Sequence, residues 1–485
     1  MADHALVGID IGTTATKAVL LDGAGRRLAE HAAAHATARP APGRAEQDPE
    51  DWMAAVTAAL ARFAASEGPP VAAIGITGQV NTHVFCDGGG TVLHPAITWA
   101  DTRAAAQGAA LDARLTEAEK IAALGAPIPL DASHALARMA WMAETHPEVW
   151  DATAAVLLPK DLAIARLTGA AGGDPIAAIG LAGPDFAYAG AVVGLMPGAA
   201  ARLPPLADPL EVAGAVGEGA FAGVPVVRGT MDAWASMFGV GVAEEGAAMH
   251  LCGTSDVLGL ISATRTGAPG VVAFPTWRGI ALHAGPTQSG GAALAWAARL
   301  LGTDPAGAAA LAAGGAVAAD SPLFLPHLEG ERAPLWDAES RGTFAGLAAR
   351  HGPADLARSV MEGTAFAARM ALEAVEASGG RRAETLLGGG GGAASDAWCQ
   401  IRADVLGRPW QRQHAPDAGA VGAAVMAGAG VGLVPDLAAA ARTLVRADRR
   451  FDPDPHAAAL ADRRYGLFRD LYAAARPVNA ALGAG

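Results

Sequence analysis

Two segments of the same design open the two halves of this chain. Residues 6–22, Leu-Val-Gly-Ile-Asp-Ile-Gly-Thr-Thr-Ala-Thr-Lys-Ala-Val-Leu-Leu-Asp, set strand-type runs at Leu6–Ile11 and Lys17–Leu21 around the turn Gly12-Thr13-Thr14-Ala15. Residues 247–261 repeat it: Ala247–Leu251, then Cys252-Gly253-Thr254-Ser255, then Val257–Ile261. Aliphatic runs joined by a short Gly/Thr turn fold as hairpins. Each tip gathers backbone N–H groups and hydroxyls, which is a workable phosphate cradle. An ordinary hairpin turn uses the same residues, so one tip alone is only moderately specific. Two of them predict a duplicated α/β architecture with phosphates held between the halves. At 485 residues the chain exceeds one ordinary core, and the boundary falls near Val242–Gly246, giving domains 1–244 and 245–485.

Between the hairpins lies Pro225-Val226-Val227-Arg228-Gly229-Thr230-Met231-Asp232-Ala233-Trp234-Ala235-Ser236. A short apolar strand ends in a glycine-bearing turn, and Ala233–Phe238 then reads as a buried helix. Asp232 therefore stands at a sheet's carboxyl edge, where open α/β sheets bind ligands. Capping that helix is the competing use of the same residue. Asp10, just before the first tip, suits Mg²⁺ held partly through water, since that ion takes few protein carboxylates.

Further polar groups sit at other strand ends. Val71–Thr77 runs into Gly78-Gln79-Val80-Asn81-Thr82-His83. In Thr98-Trp99-Ala100-Asp101-Thr102-Arg103, an extended backbone would point Trp99, Asp101 and Arg103 to one side, a set able to grip a polyhydroxylated ligand. A Trp at a sheet edge beside a surface Asp–Arg pair is the plain alternative. Glu331 and Arg332 read as cleft organisers or as a solvated ion pair. Gly388, Gly390 and Ala393 satisfy GxGxxA, but the following strand, Arg408–Gln413, lacks the ribose-binding acid of a dinucleotide site. Asp417–Val434 is a small-residue helix expected to pack tightly rather than act. The tail from Asp448 reads as charged and helical.

Composition excludes several classes. A formal charge of −13 and a pI near 5.4 argue against nucleic acid as a partner. The small-residue-rich uncharged runs Ala306–Ala319 and Ala418–Val434 are short for a bilayer span of about 20 residues. No basic and apolar leader precedes Leu6. Cys86, Cys252 and Cys399 form no CxxC pair, so buried thiols in a reducing cytoplasm are expected.

In this order the pieces resemble the FGGY family of carbohydrate kinases, from about Leu6 to Val434. The resemblance rests on Gly8–Lys17, Trp99–Arg103, Gly229–Gly241, Pro326–Gly346 and Gly389–Leu406, with Gly342–Glu362 similar to the family's C-terminal signature. It implies the duplicated actin/hexokinase/Hsp70-like ATPase fold, two domains around a central cleft, and transfer of the γ-phosphoryl of ATP to a sugar hydroxyl. Asp232 is then the catalytic base, and Asp10 with Asp232 attends Mg²⁺. Thr13, Thr14, Lys17, Gly253, Thr254, Gly291, Gly391, Gly392 and Asp396 are the implied ATP-binding positions. Gln79, Val80, Asn81, Trp99, Asp101, Arg103, Asp232 and Ala233 are the implied contacts to a small sugar or polyol. The chain is most similar to xylulokinases and other ketopentose kinases. It departs from them at Val80-Asn81-Thr82, where Met-His-Gly is usual, at Ala233, where Asn is usual, and at Ala394, where the adenosine motif carries Lys. D-xylulose leads as substrate, with ribulose, erythritol or an arabinitol as alternatives. A catalytically silent sugar sensor is a further reading, and a homodimer is left open.

Overall fold

The computed structural model describes residues 4–315, 318–415 and 417–483. Two compact units emerge: Met1–Gly239 with Asp417–Val445, and Val240–Pro416 with Arg446–Gly485. Among the described residues no helix is long and apolar enough to cross a membrane.

The first unit is built on β1 (Ala5–Ile11), β2 (Ala15–Asp22), β3 (Arg27–Ala34), β4 (Val71–Gly78), β5 (Val212–Ala215) and β6 (Pro225–Val227). They form one six-stranded sheet in the order β3-β2-β1-β4-β6-β5. β1–β2 is the expected hairpin, with Asp10 opposite Lys17. β4 and β6 join in parallel, so β1, β4 and β6 present their carboxyl ends at one edge. β1 is buried along nearly its whole length, as in a strand covered on both faces. One cover is the helix Pro49–Ala64, capped by the Asp48 carboxylate on the Glu50 N–H and packing Trp52, Val56 and Phe63 into the core with Val7, Ile9 and Ile11.

The alternation of a strand turns Gly8 and Asp10 the other way, onto the helix Ala418–Gly430. The approach there admits only small residues. A Cβ on Gly8 would lie 1.9 Å from the Ala420 carbonyl oxygen, and one on Gly422 would lie 1.6 Å from that of Ala235, in the helix Asp232–Gly239.

The second unit repeats this plan with β7 (Ala248–Cys252), β8 (Asp256–Ile261), β9 (Val272–Ala273), β10 (Leu282–Pro286), β11 (Leu386–Gly389), β12 (Trp410–Gln413) and β13 (Ala447–Phe451). The sheet order is β9-β10-β8-β7-β11-β12-β13. From β10 onward the pairings run antiparallel, antiparallel, parallel, parallel, antiparallel, the same series as in the first unit. The tail differs from its expectation, because Ala447–Phe451 pairs with β12 as an edge strand before the helix Pro455–Gly483 begins.

Candidate active site

Three adjacent strand ends of the first unit carry the candidate chemistry. Asp10 is the penultimate residue of β1, Gln79 follows β4, and Asp232 opens the helix after β6, where Met231 bridges Gly78. Burial, and then the Asp232 charge, push the Asp10 carboxyl up to about 7. Burial raises Asp232 to about 6, against the opposing Ala233 N–H that donates to its Oδ1 at 2.7 Å. A pair of carboxylates that resist ionising together is the setting in which one is available as a base near neutral pH. Asp232 lies within the first helical turn and bonds only to the adjacent N–H, so any capping it does is local. Asp10 Oδ1 is shielded from solvent and has no partner among the described residues. Two shielded carboxylates with an unfilled oxygen are a hard-oxygen donor set that fits Mg²⁺.

The turn between β1 and β2 is tied to its surroundings by side chains. Trp99 Nε1 donates to Thr13 Oγ1 at 2.9 Å, and Gln47 Nε2 donates to the Thr13 carbonyl at 2.6 Å. Gln79 is buried, donates to Gln47 Oε1 at 2.9 Å and accepts from Thr82 Oγ1 at 3.1 Å. Thr14 is exposed at the tip, and Lys17 pairs with Asp417 at 3.1 Å.

The segment after Thr98 turns instead of extending, so Trp99, Asp101 and Arg103 do not share one face. Trp99 is 47 % exposed while Asp101 is buried. Asp101 accepts from the Ala45 N–H at 2.6 Å and from Arg103 Nη2 at 2.7 Å, and Arg103 Nη2 also reaches Glu46 at 2.6 Å. Burial alone would raise the Asp101 pKa, but Arg103 and the Ala45 N–H hold it below the usual carboxylate range. The pair is therefore neither a surface ion pair nor a side-by-side display with Trp99; Arg103 Nη1 stays unpartnered within it. Asn81 adopts a left-handed backbone, φ 53°, with its carbonyl held by the buried Arg138 and its amide 3.3 Å from Ser133 Oγ. Val80 and Ala233 are half-buried beside these groups in the chain.

In the second unit Gly253 and Thr254 are the exposed tip of β7–β8. Gly291 starts the helix Gly291–Leu300, and its N–H is spent on the Gly253 carbonyl at 2.9 Å, so it braces the tip. After β11, Gly390 takes φ 94° where a Cβ would lie 2.6 Å from the Cys252 carbonyl oxygen, and Gly391–Ala393 forms a single 3₁₀ turn. Gly391 is exposed, and the Gly392 carbonyl accepts from the buried Arg402 at 2.8 Å. Asp396 begins the next helix and pairs with Arg412 at 2.7 Å and with Arg449. Among the described residues one trio could ligate a metal, His250, Cys252 and Asp256. There His250 Nε2 and Asp256 Oδ2 already pair at 2.8 Å, with the Arg402 guanidinium 3.9 Å from the same oxygen, so positive charge is supplied from within. Glu331 is buried rather than solvated, taking the Ser289 hydroxyl at 2.6 Å and the Arg332 N–H at 2.8 Å.

Sequence reading missed several participants. Gln47 and Arg138 fix Thr13 and Asn81 from distant segments, and no local pattern marks them. Asp174 accepts from Thr230 Oγ1 at 2.7 Å and pairs with the buried Lys160 at 2.8 Å, steadying the turn two residues before Asp232.

A duplicated hairpin-led sheet, with paired carboxylates in one unit and a glycine-rich turn in the other, defines an ATP-using enzyme of the actin/hexokinase/Hsp70-like class. The chain belongs to the FGGY family of carbohydrate kinases: the family's N-terminal domain profile matches residues 5–239 and its C-terminal domain profile residues 248–431. It is 32 % identical over 442 residues to the xylulose kinase of Escherichia coli (strain K12), covering 87 % of this chain and 89 % of that one. It is 34 % identical over 446 residues to the xylulose kinase of Streptomyces rubiginosus, covering 90 % of each. The crystal structure of xylulose kinase from Rhodospirillum rubrum superposes with a TM-score of 0.85 at 29 % identity, over 98 % of this chain and 100 % of that one. The chain is thus an ATP-dependent carbohydrate kinase acting on a small sugar.

Proposed function

We propose that this kinase phosphorylates a small ketose, with D-xylulose the leading substrate, and that Asp232 accepts the proton of the attacked hydroxyl. The observation that carries the role is the burial-raised Asp232 carboxylate, facing a second raised carboxylate, at the open edge of three adjacent strands. A sugar hydroxyl is a weak nucleophile at neutral pH, and a positioned carboxylate typically contributes about 10²–10⁴-fold. Thr230, held by Asp174, keeps that carboxylate in place. Asp10, with Asp232 beside it, would hold Mg²⁺, which when bound neutralises phosphate charge in a reaction governed by positioning. Thr13, Thr14, Lys17, Gly253 and Thr254 would receive the phosphates, with Gly391, Gly392 and Asp396 flanking the adenosine and Gly291 bracing the tip. Val80, Asn81, Trp99 and Ala233 would meet the sugar, with Gln79, Asp101 and Arg103 supporting them from beneath.

The names of the similar proteins support xylulose. A second reading, ribulose or a sugar alcohol such as erythritol or an arabinitol, is favoured by the altered Val80-Asn81-Thr82 and Ala233. A coupled ADP-release assay with Mg²⁺-ATP across ketopentoses, ketotetroses, polyols and glycerol decides between them. D-xylulose as the strongest responder supports the first reading, and a polyol or another ketose replaces it. Silence across the panel with ATP still bound refutes both.

A further inference from the structure

Transfer of a phosphoryl group needs positive charge near the polyphosphate, yet the proposed nucleotide positions of the second unit contribute none. Gly253, Thr254, Gly391 and Gly392 have no cationic side chain, and Asp396 is acidic. The neighbouring arginines have counter-ions of their own. Arg402 is buried against the Gly392 carbonyl and Asp256, and Arg412 is divided between Asp396 and Asp448.

Arg332 is different. Its Nη2 donates to Ser255 Oγ at 3.0 Å, which fixes the guanidinium against the last residue of the Gly253–Ser255 turn. Its Nε donates to the Thr287 carbonyl at 3.1 Å. The backbone that carries it is pinned on both sides: Glu331 by Ser289 Oγ, Gln288 N–H and Arg332 N–H, and Ala333 by its N–H to the Pro286 carbonyl at 2.9 Å. Glu331 spends its carboxylate on those donors, and among the described residues no acidic group comes within ion-pairing distance of the Arg332 guanidinium. Its Nη1 has no protein partner among them either. A partly buried guanidinium, rigidly mounted, whose one neighbouring acid, Glu331, is bonded to other donors, and one residue from an exposed Gly-Thr tip, is an anion site. A planar guanidinium also suits phosphate oxygens better than a lysine would.

We propose that Arg332 supplies the cationic contact to the polyphosphate of the nucleotide at the second hairpin, using the amino group left over from its bonds to Ser255 and Thr287. The inference rests on the assignment of that hairpin to nucleotide phosphates. Its test is calorimetric titration of the wild type, Arg332→Gln and Ser255→Ala with ATP, ADP and adenosine. Arg332→Gln is expected to weaken ATP and ADP by about tenfold or more, the usual cost of one charge-assisted hydrogen bond, and to leave adenosine unchanged. Ser255→Ala, which removes only a brace, should weaken ADP far less. Equal losses for adenosine and ADP would reduce Arg332 to a brace of the loop, and no loss would remove it from the site; either overturns the proposal. A wild type that binds no ADP would instead overturn the nucleotide assignment itself. If Arg332→Gln does not fold, phenylglyoxal labelling of the wild type, read by mass spectrometry at Arg332, takes its place. Protection by ADP but not by adenosine is expected, and equal or absent protection refutes the proposal.

Discussion

Replacing Asp10 by Asn should stabilise the metal-free protein while disabling it. Asp10 is pushed up to about 7 from 3.8, chiefly by burial and then by Asp232. A carboxyl that holds its proton more tightly when folded adds stability only below the unfolded pKa, and that stability is lost as pH rises through the folded value. At pH 8 both carboxylates are ionised, and the fold bears their desolvation and repulsion. Carrying a carboxyl from its ordinary value to about 7 sets a ceiling of about 4 kcal/mol. Asp10 keeps some solvent access, so screening brings the expected relief to about 1–2 kcal/mol. Asn preserves volume, and Lys17 is not orphaned because Asp417 lies 3.1 Å away. With EDTA present at pH 8, Asp10→Asn should raise the Tm by about 2–5 °C. At pH 5, where Asp10 is protonated in the folded chain but ionised in the unfolded one, the difference should shrink, and it should vanish only below the unfolded value near 3.8. Millimolar Mg²⁺ should raise the wild-type Tm and not that of the variant. Turnover should drop by about 10² or more. A lower Tm at pH 8, or a difference independent of pH, would refute the reasoning.

Asp232→Asn should reduce phosphoryl transfer by about 10²–10⁴-fold with ATP affinity retained, as measured by single-turnover kinetics and calorimetry; near-wild-type turnover would leave Asp232 as a helix-end residue. The acid limb of the wild-type kcat/KM profile should fall with an apparent value near 6, the raised Asp232 carboxyl of a coupled pair; a limb near 4 would contradict the burial. Trp99→Phe keeps the ring and loses the 2.9 Å bond to Thr13 Oγ1, so the KM for ATP should rise several-fold with the Tm unchanged, and an unaltered KM would separate Trp99 from the first tip. Gly422→Ala drives a Cβ to 1.6 Å from the Ala235 carbonyl oxygen and should cost about 3 kcal/mol or more in chemical denaturation, whereas wild-type stability would show that the two helices can separate freely.

What was legible in the sequence was local. Each hairpin is written in a few consecutive residues, so its strands, its Gly/Thr tip and the duplication could be read directly. Asp10 and Asp232 stand at strand ends, and strand ends are readable. The spacing of Trp99, Asp101 and Arg103 predicts one shared side, but alternation holds only while the backbone stays extended; a turn after Thr98 sends Asp101 inward to the Ala45 N–H and carries Arg103 to Glu46. Gln79, expected at the sugar, donates to Gln47 Oε1 and accepts from Thr82 Oγ1, bonds that fix its amide. A partner such as Gln47 comes from another segment, and one sequence carries no sign of it. For Glu331, burial follows from Ser289 and Gln288, more than forty residues earlier in the chain.

The helix Ala418–Gly430 shows how packing and chemistry are joined. Its run of Ala and Gly was expected to pack tightly, and it does, against Gly8, Gly75 and the helix that Asp232 opens. The same closeness sets the electrostatics of the candidate site. A Cβ on Gly419 would lie 2.2 Å from Asp10 Oδ2, so the helix backbone covers that side of the carboxylate and limits the water that would otherwise favour its ionised form. Asp417, just ahead of the helix, takes Lys17 at 3.1 Å and adds its own negative charge near Asp10. A larger side chain at Gly419 would press on Asp10, and a looser helix would let water in and lower its pKa. Small residues in this helix therefore do more than allow close packing: they hold Asp10 in a state that favours a cation over a bare negative charge.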